Sequence, residues 1–251
     1  MILSHSTIDE FTKNGWVVTN LIDPTALAEI ARWVGDISGW SDDGPWLQYY
    51  EMTDGGPKIC RSENFTPHHA GMNQLLRFGS LVEAAGDLLG EPAVLYKEKI
   101  NYKLSGGAGF SPHQDAPAYR FVDTHISCMI AIDDSTTENG CLEVVSAMHN
   151  EILPMNDSGC IREDIADAFD WTPAEMRAGE VLWFHSRTPH RSGPNNSGQD
   201  RRAIFPTYNA MREGDLRDRY YEQKAAEFLA ARRNHSTVQV SLIGDFQGRP
   251  V

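Results

Sequence analysis

This chain of 251 residues has no run of about 18 apolar residues, so no transmembrane helix is expected. Its start, Met1 to Asn14, carries Asp9, Glu10 and Lys13 and lacks the apolar stretch of a signal peptide. Cysteine is scarce: Cys60, Cys128, Cys141 and Cys160 stand far apart, with no CxxC pair. That spacing argues against a zinc ribbon or a disulfide framework and for reduced thiols in a cytoplasmic protein. A basic excess is missing too. The net charge of −13 argues against a binder of nucleic acid or of anionic membranes, so an anionic substrate must be met by locally placed Arg or Lys. With no internal repeat, low-complexity run or linker, residues 1–251 read as one domain.

What is present is ordinary globular composition, 41% apolar and 23% charged, on a chain long enough for a full core. Thr7 to Lys13 reads as a short helix stopped by Gly15, and Trp16 to Thr19 as strand-like. Asp23-Pro24 opens a stronger helix: Asp caps it, Pro takes the first turn, and Leu27, Ile30, Ala31 and Val34 make an apolar stripe. Leu81 to Leu89 repeats a helical pattern and ends at Gly90. From Ala93 the character changes. Val94 to Lys103 alternates, and Ile126 to Ile132, Cys141 to Val145, Val181 to His185 and Ala203 to Tyr208 are further short runs between Gly, Asn and Pro clusters. Asp215 to Arg233 is a last helix. Early helices, many short strands and a late helix predict a mainly β fold, a sandwich or open barrel buttressed by helices.

His113-Gln114-Asp115 puts two metal ligands on one side of an extended segment. Two histidines and a carboxylate on one face suit an Fe(II) that needs open positions for a cosubstrate and O2. The pair alone is weak: with 9 His and 35 acidic residues, about one His-x-acid match arises by chance. His149-Asn150-Glu151 is a second, but it lies where a strand gives way to a polar loop and reads as solvated. For the distal ligand, His185 and His190 compete, and the residues downstream of His190 decide between them. Ser192 and then Arg201, at the start of the next strand, supply the hydroxyl and guanidinium that the far carboxylate of 2-oxoglutarate requires. His185 is therefore expected to pack nearby. Arg202 should face away from Arg201 and pair with a surface carboxylate, and His68-His69 should lie in a loop or at a helix start.

Tyr102-Lys103, the glycine turn, His113-Gln114-Asp115, Gly140-Cys141-Leu142, Gly179 through His185, His190-x-Ser192 and Arg201 together resemble the phytanoyl-CoA dioxygenase superfamily, over residues 7–212. The resemblance implies a double-stranded β-helix, or jelly roll, flanked by N- and C-terminal α-helices. It implies Fe(II) on His113, Asp115 and His190. It also implies 2-oxoglutarate held by Arg201 and Ser192 at its far carboxylate, with Asn101 near its C1 end. The reaction implied is hydroxylation of a small molecule by O2, with 2-oxoglutarate converted to succinate and CO2.

A finer resemblance rests on Leu95 to Lys103, Gly106 to Phe110, His113 to Ala118 and Cys60 to Phe65. These segments are similar to a bacterial branch that hydroxylates C1 of 2-aminoethylphosphonate or its N-trimethylated analogue, ahead of C–P cleavage by a partner di-iron oxygenase. A phosphonate dianion on so acidic a chain needs converging cations, and Arg61, Lys97, Lys99, Arg120 and Arg191 are the candidates. Lys97, Lys99, Asn101 and Lys103 share one strand face, which is expected to line a polar pocket; for Lys103, at the strand end, a solvated outer face is an equal alternative. An ammonium group favours aromatic faces and a carboxylate, for which Tyr119, Tyr208 and Glu63 are candidates, with Asn64 beside Glu63. Trp183 is assigned to the core. Three other readings stand against this one: hydroxylation of another small solute, acyl-CoA or natural product; a non-catalytic jelly-roll binding protein; and a cupin isomerase or hydrolase, which has no use for Arg201 with Ser192.

Overall fold

The computed structural model describes every residue except Arg120 and His235. In chain order it runs α1 (His5–Asn14), β1 (Trp16–Asn20), α2 (Pro24–Ser38), β2 (Leu47–Thr53), β3 (Gly56–Glu63), α3 (Ala70–Arg77), α4 (Ser80–Leu89), β4 (Ala93–Lys103), β5 (Phe110–His113) and β6 (His125–Ala131). It continues through β7 (Leu142–Val144), α5 (Glu163–Ala166), β8 (Thr172–Ala174), β9 (Glu180–His185), β10 (His190–Ser192), β11 (Arg201–Ala210) and α6 (Arg217–Arg233). The helix boundaries follow from local chemistry. The Asp23 carboxylate accepts from the amides of Thr25 and Ala26 at the start of α2. Gly15 ends α1 at φ 79°, where a side chain would be strained.

Two antiparallel sheets face each other. The larger has strand order β1-β9-β6-β11-β4-β3-β2 and the smaller β5-β10-β7-β8. Alternation sorts the larger sheet's side chains into two layers. Ile100, Tyr102, Ile126, Cys128, Trp183, Ile204 and Tyr208 point outward into a core built with Ile30, Val34, Met72, Leu76 and Leu81 of α2, α3 and α4. Met129, Leu182, Phe184, Ala203 and Phe205 point inward against Leu142, Ala174 and Met176. This is the double-stranded β-helix the sequence implied, with Trp183 in its core.

The β2–β3 hairpin, which the sequence pattern did not reveal, extends the larger sheet and brings Arg61 opposite Asn101 and Glu63 opposite Lys99. The segment after α6 also gave no sequence signal. It crosses the open end of the sandwich: Met52 donates to Arg249 and Val251 to Tyr50 on one side, while Ser111 donates to Asp245 and Gln247 to Gly109 on the other. Among the described residues no helix is long and apolar enough to cross a membrane.

Candidate metal centre

The smaller sheet brings the ligand candidates together. His190 of β10 pairs directly with His113 of β5, and their rings lie 4.1 Å apart. Gln114, between the two proximal candidates, turns the other way and is tied by the carbonyls of Glu151 and Arg187 and the amide of Leu153. One ligand atom from each of His113, Asp115 and His190 falls within 4.8 Å of the other two, and all three residues are buried.

Each histidine is oriented from behind. His113 Nδ1 lies 2.7 Å from the Ser111 carbonyl, and His190 Nδ1 3.0 Å from that of Thr188. A carbonyl only accepts, so both Nδ1 atoms carry the proton and both Nε2 lone pairs face the same point. The Asp115 carboxylate accepts from Ser127 at 3.2 Å, and Ser127 bonds Thr207. Burial works against charge on Asp115, but His190, Lys97, Lys99 and His113 outweigh it and hold its pKa well below the ordinary carboxylate range. Burial, followed by the nearby His113, pushes His190 down to about 4, which keeps the ring neutral and able to ligate. This donor set fits a divalent iron with open positions.

Beside the triad, β4 and β11 contribute a row of inward side chains. Arg201 pairs with Lys103 across the strands, Ala203 with Asn101, Phe205 with Lys99 and Thr207 with Lys97. Lys103 donates to Ser192 Oγ at 2.9 Å and to the Gly140 carbonyl at 3.1 Å, and Arg201 donates to that same carbonyl at 2.9 Å. Two buried cations therefore share one backbone acceptor. Burial and the neighbouring Arg201 push Lys103 down to about 7, and burial pushes Arg201 to about 10. Asn101, Tyr119, Ser192 and Arg201 line the same cavity as the triad.

Comparison with known proteins decides what this arrangement belongs to. The phytanoyl-CoA dioxygenase (PhyH) family model matches residues 11–203. The chain belongs to that family. It is 42% identical to a methylphosphonate hydroxylase of Gimesia maris, over 99% of this chain and 97% of the relative. It is 36% identical to a 2-aminoethylphosphonate dioxygenase of an uncultured bacterium, over 90% of each chain. A crystal structure of EctD from S. alaskensis with 2-oxoglutarate and 5-hydroxyectoine shares the fold at TM-score 0.71 and 20% identity, covering 84% of this chain and 77% of that one. This PhyH-family chain is a non-haem iron, 2-oxoglutarate-dependent dioxygenase.

Several residues expected near the substrate lie elsewhere. Tyr208 points outward, and its hydroxyl donates to the Leu76 carbonyl among the helices. The alternation that turns Arg201 inward turns position 208 out. Asn64 leaves the sheet at φ 58° and is engaged by the Pro45 carbonyl and the Arg217 guanidinium, outside the cavity. Glu63 faces inward, but Lys224 donates to both of its oxygens at 2.6 and 2.7 Å, so it is a counter-ion rather than a free carboxylate. Burial would raise its pKa, yet Lys224 and Arg61 hold it lower than usual. Arg191 pairs with Glu143 on the far side of β10. Arg120 lies outside the described residues.

Other expectations hold. Arg202 pairs with Asp133, His185 accepts from the Arg187 amide and is no part of the triad, and His69 caps α3. Arg61, Lys97, Lys99 and Tyr119 converge beside His113 and Asp115. Sequence reasoning missed Asp245, Val240 and Phe246 of the tail, which close the same cavity. No periodic pattern marks that segment, so nothing in the sequence pointed to it.

Proposed function

We propose that residues 1–251 act as one dioxygenase domain that hydroxylates C1 of a small aminoalkylphosphonate, 2-aminoethylphosphonate or its N-trimethylated form. The products are the 1-hydroxy compound, succinate and CO2. His113, Asp115 and His190 hold the iron. Arg201, Ser192 and, beyond the sequence expectation, Lys103 take the far carboxylate of 2-oxoglutarate, with Asn101 near its other end. Iron and 2-oxoglutarate, when bound, would supply the electrons that convert O2 into the oxidant that breaks the substrate C–H bond.

One observation carries the substrate class. Lys97, Lys99 and Arg61 converge beside the triad, and the two lysines lie over rings rather than against carboxylates. Lys97 Nζ is 4.2 Å from the Tyr119 centroid, and Lys99 Nζ is 5.3 Å from that of Phe205. Burial, then Arg61, pushes Lys99 down to about 8 and outweighs the opposing pull of Asp115, Asp245 and Glu63. A phosphonate dianion supplies further negative charge there, and the activities for which the two relatives are named agree with it. The cations orient the phosphorus end, and the surrounding side chains exclude water from the reacting carbon. The hydroxylated product suits a downstream di-iron oxygenase that cleaves C–P bonds, and four buried free thiols suit a cytoplasmic setting.

The test is succinate release from the iron- and 2-oxoglutarate-loaded enzyme, with 31P spectra of the products. Stimulation by aminoalkylphosphonates and an α-hydroxy phosphonate product are expected. Stimulation only by solutes without phosphorus would reject the substrate class and leave the family intact.

A further inference from the structure

The cavity also holds one carboxylate without a partner. Asp245, in the tail after α6, is 3% exposed and lines the same space as the triad. Its Oδ2 lies 3.3 Å from His113 Nε2, and its Oδ1 is buried with no hydrogen-bond partner among the described residues. His113 commits its Nδ1 proton to the Ser111 carbonyl, so a ligating ring offers Asp245 a lone pair at Nε2, not a donor. Once Nε2 serves a metal, neither oxygen of Asp245 has a donor among the described residues. A buried carboxylate in that position calls for a cation.

The carboxylate is also held in place. Gly244 donates to the Ser158 carbonyl at 2.8 Å, Ser111 donates to the Asp245 carbonyl at 2.7 Å, and Gln247 donates to that of Gly109 at 3.1 Å. The Phe246 ring packs 5.2 Å from that of Phe110. Backbone pairing on both sides of the residue keeps its side chain in the cavity. Charge around the triad is therefore divided by element: Lys99 of β4 lines the cavity that Asp245 closes, Arg61 and Lys97 line the adjoining recess beside His113 and Asp115, and the tail brings one anion. A methylphosphonate matches only the cations. A phosphonate carrying an amine matches both.

We propose that Asp245 is a specificity-determining residue that receives the ammonium end of the substrate, so the enzyme prefers a phosphonate bearing a cationic amine over one with an uncharged alkyl group. This rests on the phosphonate reading above. The experiment compares wild type with Asp245→Asn and Asp245→Ala, using 2-aminoethylphosphonate and methylphosphonate as probes. It measures kcat/KM for each, equilibrium binding of each to the anaerobic iron- and 2-oxoglutarate-loaded protein, and Fe(II) affinity.

Wild type is expected to favour the amine. Asp245→Asn should cut the kcat/KM ratio of amine to methyl substrate by about 10- to 100-fold, the loss of one charge-assisted bond, mostly through KM. Binding of the amine should fall in parallel, with Fe(II) affinity changed by less than about threefold. An unchanged ratio overturns the proposal. So does a loss of Fe(II) affinity as large as the loss of phosphonate affinity, which puts the carboxylate on the metal. If wild type binds and turns over neither phosphonate, the substrate class itself fails, a result distinct from both.

Discussion

Lys103 and Arg201 show how a single residue's environment sets a ligand's chemistry. Both are buried, both donate to the Gly140 carbonyl, and burial lowers both from their ordinary values, Lys103 to about 7. A carboxylate between them relieves that cost. Arg201→Ala is therefore expected to weaken 2-oxoglutarate binding about 10- to 100-fold while changing Fe(II) affinity little, measured by anaerobic titration. The pH dependence comes from the direction of the Lys103 shift. An anion favours the protonated lysine, so binding raises its pKa. Below about pH 7 the lysine is protonated before and after binding, and affinity is flat. Above that, binding must take up a proton, so affinity falls as pH rises, by up to about tenfold per unit. Lys103→Met should bind more weakly and lose that slope; an unchanged slope would remove Lys103 from the cosubstrate site. Alternation grouped Lys103 with Lys97, Lys99 and Asn101 but left a solvated outer position equally open for it, and the structure buries it. Its partners, Ser192 and Gly140, come from two distant segments, so its role could not be read from β4.

Short paired strands carry the metal geometry. β5, β8 and β10 are three or four residues each, too short for periodicity to reveal; β7 lies within the Cys141 to Val145 run, and the register of all four comes from pairing across the sheet. Longer elements were legible. The Asp23-Pro24 helix start, the β4 alternation and the β11 run all appear as read, because each signals locally through a cap or a period of two. The same rule, carried along β11 from Arg201, would have sent Tyr208 outward. Gly109 shows what the short strands demand. A Cβ there would sit 2.1 Å from the Ser192 carbonyl oxygen and 2.9 Å from Gly193 C, both backbone atoms. The β5–β10 pair that sets His113 against His190 has no room to give. Gly109→Ala is expected to destabilise the protein by about 2–4 kcal/mol and to weaken Fe(II) binding, since both histidines shift with their strands. Calorimetry and metal titration check it; wild-type values for both would show that the strands can part without cost.

At the scale of the whole molecule, an acidic chain encloses a basic cavity. The net charge is −13, yet Arg61, Lys97, Lys99, Lys103 and Arg201 are gathered around the triad in two adjoining cavities that share Lys99. In the unfolded chain these groups are solvated, so burying them costs stability that the surrounding sandwich must supply. Of these, only Arg61 has a carboxylate within 4.0 Å among the described residues, Glu63 at 3.6 Å, and Lys224 already holds that one. Anionic ligands therefore return stability to the fold as a whole. At 100 times its dissociation constant, 2-oxoglutarate should add about 2.7 kcal/mol, which for a chain of this length raises Tm by roughly 5–10 °C. A phosphonate added to the loaded enzyme should raise it further, because it meets a separate set of cations. At the same cosubstrate concentration Arg201→Ala, binding about 10- to 100-fold more weakly, should keep only about 0.4–1.4 kcal/mol of the first increment and most of the second. Differential scanning calorimetry of the anaerobic iron-loaded protein separates the two. If 2-oxoglutarate stabilises Arg201→Ala as much as wild type, the cosubstrate is not held between Lys103 and Arg201.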